Sequence, residues 1–147
     1  MVAVVGPGQA SAPLVLHAIV VLWAGLLSGV GFWLTLILHS GEDRVRAWRV
    51  AHGTLVTMAT LMLVVSLILP RLSLTAAGSA VAAGALIVSA YGFVLALAVG
   101  ALGGVRGLTA KPWGLNTLFF AAHVVGVVGA FVAAALLAWG AFVALHR

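Results

Sequence analysis

Four long apolar stretches, separated by short polar breaks, occupy nearly the whole chain. Residues 14–38, 50–69, 75–100 and 116–145 each reach the roughly 20 residues that a helix needs to cross a bilayer core. They predict an all-α fold, an integral membrane bundle of four transmembrane helices in a single membrane domain, residues 1–147. Connections of roughly five to fifteen residues leave no space for a soluble catalytic domain, so any chemistry belongs inside the bundle or at its rim. Proline and glycine punctuate the pattern. Pro13 opens the first helix, Pro70 closes the second, and Gly103-Gly104 and Pro112-Trp113-Gly114 bracket the third loop.

Small residues recur within the apolar runs. Ala122, Gly126, Ala130, Ala134 and Ala138 repeat at every fourth position of the last helix, and Gly25 and Gly29 repeat once in the first. Such stripes let another backbone approach closely, either within the bundle or between subunits of a homo-oligomer.

Composition agrees, with 65% hydrophobic and 6% charged residues. The net charge of +5 comes from basic residues scattered over helix ends, which argues for topology signals and against nucleic acid as a partner. Arg44, Arg46, Arg49, Arg106 and Lys111 fall on one side, and Arg71 and Arg147 on the other. The positive-inside rule then puts the first and third loops in the cytoplasm and both termini outward, with the bacterial inner membrane as the expected location and lipid as the surrounding partner. Trp48 and Trp113 fit an aromatic belt on the basic side. The first 13 residues carry no Lys or Arg, and Ala10-Ser11-Ala12 precedes the apolar run. That order is wrong for a cleaved signal peptide, so the first helix is expected to stay.

The ionisable inventory restricts the chemistry. Glu42 and Asp43 are the only carboxylates, and both lie in the first loop. Proton-coupled carriers need a buried carboxylate and glycosidases need a pair, so those classes lose support. Ser28, Ser66, Ser79 and Ser89 have no motif placing a base and an orienting acid beside them, and no phosphate-binding Gly-x-x-x-x-Gly-Lys loop is present. Cysteine is absent, which removes disulfides, iron–sulfur clusters and thiolate haem ligation. Histidine remains. His39 and His146 lie at helix ends, and His17 lies near the face opposite the basic side. His52 sits about one turn inside the second apolar stretch, where an ionisable ring is a functional candidate by default. His123 reaches a depth within about 5 Å of His52 at 1.5 Å per residue. A single membrane-embedded cofactor can be shared by those two, while His17 is too far to join the same iron; His123 equally suits a hydrogen-bonded packing role.

The segments Leu26-Leu27-Ser28-Gly29-Val30-Gly31-Phe32-Trp33, Ala47-Trp48-Arg49-Val50-Ala51-His52, Leu69-Pro70-Arg71-Leu72 and Arg106-Gly107-Leu108-Thr109 occur in an order and spacing that resembles the styrene oxide isomerase family and its relative, hydroxylaminobenzene mutase. The Tyr91-Gly92 pair is similar to the mutase branch. The resemblance implies a four-helix membrane enzyme that forms a homotrimer and holds haem b, with His52 as axial ligand to the iron. It further implies that ferric haem acts as a Lewis acid on an apolar aromatic epoxide, isomerising it without net redox. The chain departs from the family pattern at two places. Met58 stands where the family has an asparagine six residues after the histidine, and Leu97 stands where an ungapped match puts the catalytic tyrosine. Thr57, Thr60 and Tyr91 can supply hydroxyls, although a regular helix puts Tyr91 about 240° around from Leu97. Met58 can pack on a haem face or on its neighbours. The alternative is a b-type haem electron carrier or accessory protein in which His123 closes the iron as a second ligand; a third reading is a cofactor-free packing subunit.

Overall fold

The computed structural model describes residues 10–146, so residues 1–9, with most of the N-terminal segment that lacks basic residues, and Arg147 lie outside the described residues. The described chain is all-helical. Helix α1 spans Ser11–Ile37, α2 spans Glu42–Ile68 and ends in a 3-10 turn at Leu69–Arg71, α3 spans Ala76–Gly103 and α4 spans Leu115–Leu145. All four are long and apolar enough to cross a membrane. Trp23, Leu27, Trp33 and Phe131 point outward, as expected where the surrounding solvent is hydrocarbon and a helix satisfies its own backbone.

Helix α2 begins at Glu42 rather than near residue 50, where hydropathy alone starts it. Glu42 and Asp43 occupy its first turn, where unpaired N–H groups and the helix dipole favour negative charge. Arg44, Arg46 and Arg49 are therefore exposed on a helical extension rather than in a loop. The connection shrinks to a tight turn in which His39 takes a left-handed conformation, φ 48°, and donates its backbone N–H to Leu36 O.

Two antiparallel hairpins make up the bundle. Helix α1 lies along α2 and α3 along α4, and α3 joins the pairs by touching both α1 and α2. Leu14, Leu55, Met62 and Leu69 are fully buried in the core. The α3–α4 seam is backbone-close: Ser89 Oγ donates to Gly126 O at 2.6 Å, and a Cβ at Gly129 would stand 2.7 Å from Ala85 O. The face of α4 that packs is Phe119, Ala122, Gly126, Gly129, Ala133 and Gly140. The every-fourth-residue stripe only half coincides with it, since Ala134 and Ala138 are exposed. A strict period of four advances about 40° per step beyond a full turn, so it drifts off any straight seam.

Within α3, residues Val94–Val99 form a π-helical segment. The inserted residue rotates everything after it relative to a regular helix, and such bulges recur at functional sites.

Candidate functional site

His52 lies about three turns into α2, on the side that faces α1. Its Nδ1–H donates to the Gly25 carbonyl oxygen of α1 at 2.9 Å. A carbonyl only accepts, so the neutral ring keeps its lone pair on Nε2. Gly29 makes the seat. A Cβ there would lie 2.8 Å from Nδ1 and 3.0 Å from Cε1 of His52, so any side chain would push the ring out. The Gly25/Gly29 pair is thus a socket for one imidazole as well as a helix contact.

This donor set suits a metal that brings most of its own ligands. Among the described residues no three His, Cys, Asp or Glu side chains gather to hold a bare ion, whereas a porphyrin supplies four nitrogens and asks the protein for an axial base. Histidine ligands to metals characteristically donate the second ring N–H to a carbonyl or carboxylate, which fixes tautomer and orientation. His52 has that arrangement across a helix–helix interface. His123 and His146 bond only to carbonyls one turn back on their own helix, Phe119 O at 3.0 Å and Phe142 O at 2.8 Å.

The other candidates lie elsewhere. Thr57 and Met58 line a groove of about 350 Å³ with Gly53, Thr54, Leu61 and Phe93. At 100° per residue they sit about 140° and 120° around α2 from His52. One chain does not bring them to the imidazole, and Met58 is part of the buried core. His123 lines a cavity of about 190 Å³ with Leu97, Val50 and Arg106 among its walls; Val50 is about 160° around α2 from His52. The structure therefore gives His52 and His123 different surroundings.

Tyr91 has a partner that sequence reasoning missed. Its hydroxyl and His17 Nδ1 share a 2.9 Å hydrogen bond, and the rings meet edge-to-face at 5.5 Å. Tyr91 also lines an apolar groove of about 450 Å³ between α3 and α4. The two residues are 74 positions apart; the one sequence signal was a pair of polar rings on apolar helices. On the basic side Arg106 Nη1 approaches Asp43 Oδ1 at 3.6 Å, an exposed pair of little energetic weight that ties the third loop to α2.

Four membrane-length helices with a socketed imidazole define the class, an all-α integral membrane bundle. The sequence pattern of the styrene oxide isomerase family matches residues 10–142, and the chain belongs to that family. Comparison with curated proteins and with solved structures gives no match.

Proposed function

We propose that the chain is a haem-b-binding membrane isomerase for an apolar aromatic substrate, with His52 as the axial ligand. The observation that carries this reading is the bond from His52 Nδ1–H to Gly25 O, which leaves Nε2 as the free base. Ferric haem, when bound, supplies a Lewis acid for a substrate oxygen and spares the protein a carboxylate. The residues of the chain do the rest. Gly25 fixes the tautomer, and Gly29 leaves room for the ring. Thr57 and Tyr91 line two different grooves on the surface of the bundle and are the hydroxyl-bearing residues proposed to orient substrate, that of Tyr91 being bonded to His17. Met58 packs in the core. The homotrimer and the bacterial inner membrane belong to the same proposal, on family grounds. The electron-carrier reading is not favoured, because the cavity that His123 lines does not include His52.

The test is optical. Purified protein should show a Soret band that His52→Ala removes and that His17→Ala and His123→Ala retain. Equal haem content in the His52 and His17 variants refutes the assignment of the ligand, and absence of a band after haem supplementation refutes the cofactor.

A further inference from the structure

The first turns of α2 carry a polar cavity of about 280 Å³, lined by Ser40, Glu42, Val45, Arg46 and Arg49. Arg46 and Arg49 are three positions apart on the helix, so they lie side by side, and two guanidinium groups can close on the oxygens of one phosphate. Both are exposed. Among the described residues the only ion pair is Arg106 with Asp43, so the chain leaves the charges of Arg46 and Arg49 unanswered.

Arg49 is also held in place. Its guanidinium carbon stands 5.7 Å from the centroid of the Phe32 ring of α1, a cation–π contact. Beside it the Trp48 ring fills a notch at Gly31, where a Cβ would come within 2.7 Å of the indole. Both contacts tie this stretch of α2 to α1.

Depth decides what kind of anion arrives. The long apolar stretch of α2 begins at Val50, immediately after Arg49, and a tryptophan in this position belongs at headgroup level. Arg46 and Arg49 therefore stand where the phosphates of a bilayer lie. Charge narrows the choice. Two arginines against one glutamate leave a single positive charge, which one phosphodiester answers. The Glu42 carboxylate only accepts hydrogen bonds, so it disfavours a bare anion and suits a headgroup that carries hydroxyl donors; Ser40 accepts in the same way. A choline headgroup brings no such donor and no net charge.

We propose that this cavity binds one anionic phospholipid of the phosphatidylglycerol class, with its phosphodiester on Arg46 and Arg49 and its glycerol hydroxyls on Glu42 and Ser40. The site goes beyond the haem reading and does not depend on it.

Native mass spectrometry of the full chain in detergent, titrated with lipids of one acyl composition, reads the binding. One phosphatidylglycerol should be retained per chain, roughly tenfold or more tighter than phosphatidylcholine. It should also bind roughly threefold or more tighter than phosphatidylmethanol, which has the same charge and no hydroxyl donor. These comparisons need no variant. Arg46→Gln with Arg49→Gln should weaken phosphatidylglycerol by roughly 10- to 30-fold, the effect of two basic residues near a membrane surface. Arg44→Gln with Lys111→Gln, the same change of charge at the same end of the bundle, should leave it unchanged, and so should His52→Ala. Glycerophosphoglycerol, the headgroup without its chains, should not displace the lipid at equal concentration; displacement would make this a site for a soluble phosphodiester. Such displacement, equal loss in the two double variants, equal retention of phosphatidylglycerol and phosphatidylmethanol, or loss of the lipid in His52→Ala overturns the proposal.

Discussion

His52 Nδ1 bonds to Gly25 O, and that bond determines what the ring can do. With the N–H turned toward α1, the lone pair is on the far nitrogen, and Gly29 gives the ring its place. Gly29→Val should therefore act as a lesion of the ligand even though it changes no donor atom. We expect haem affinity to fall by roughly 10- to 100-fold, the usual cost of losing an orienting partner, as read by haem transfer to an apo-globin. Gly84, where an added Cβ meets nothing within 4 Å, is the control: Gly84→Ala should leave haem unchanged and raise helix stability by roughly 0.5–1 kcal/mol. Equal loss in both variants would mean that bundle integrity, not the socket, governs binding. The candidacy of His52 was legible in the sequence because an imidazole inside an apolar run stands out. The role of Gly29 was not, since which side chain lies over a small residue depends on the register of two antiparallel helices. The His17–Tyr91 bond was hidden for the same reason.

At the scale of the helices, close approach along α3–α4 is what the small residues make possible. A Cβ at Gly126 would touch the Phe93 ring at 3.0 Å, so Gly126→Leu must displace a ring packed on the core. Overpacking of this kind costs roughly 1–3 kcal/mol. Ser89→Ala removes the bond to Gly126 O, and interhelical hydrogen bonds in membranes average about 0.6 kcal/mol. In detergent unfolding the leucine variant should thus be the less stable of the two; the reverse order would show that the hydrogen bond, not backbone proximity, holds the seam. Hydropathy located all four helices, yet it misplaced the start of α2, because the helix continues past the apolar stretch wherever end charges suit its dipole. The π segment at Val94–Val99 left no trace in the sequence Val-Leu-Ala-Leu-Ala-Val. It changes the phase between Tyr91 and Leu97 assumed for a regular helix. The two residues line different cavities, Tyr91 a groove between α3 and α4 and Leu97 one that Ala47 and Val50 of α2 also wall.

For the whole molecule, the asymmetry that matters is charge. Arg44, Arg46 and Arg49 cluster at the start of α2, and Arg106 and Lys111 lie between α3 and α4, all at one end of the bundle. Arg71 follows α2 at the other end. Basic residues near the helix ends resist translocation, so the basic end should face the cytoplasm. The fold class was legible because length and apolarity alone settle whether a helix can span a bilayer, while the direction of insertion depends on a handful of charges. Because the chain has no cysteine, single cysteines report direction without background. Gly41 lies in the turn before α2, exposed, with nothing within 4 Å of an added Cβ, and His146 is exposed at the end of α4. In intact spheroplasts a membrane-impermeant maleimide should label His146→Cys and spare Gly41→Cys until the membrane is permeabilised. The opposite pattern would invert the topology. Labelling of both in intact cells would point to dual insertion, and in that case adding Lys beside Gly41 should restore a single orientation, because the bias grows with basic residues on one side.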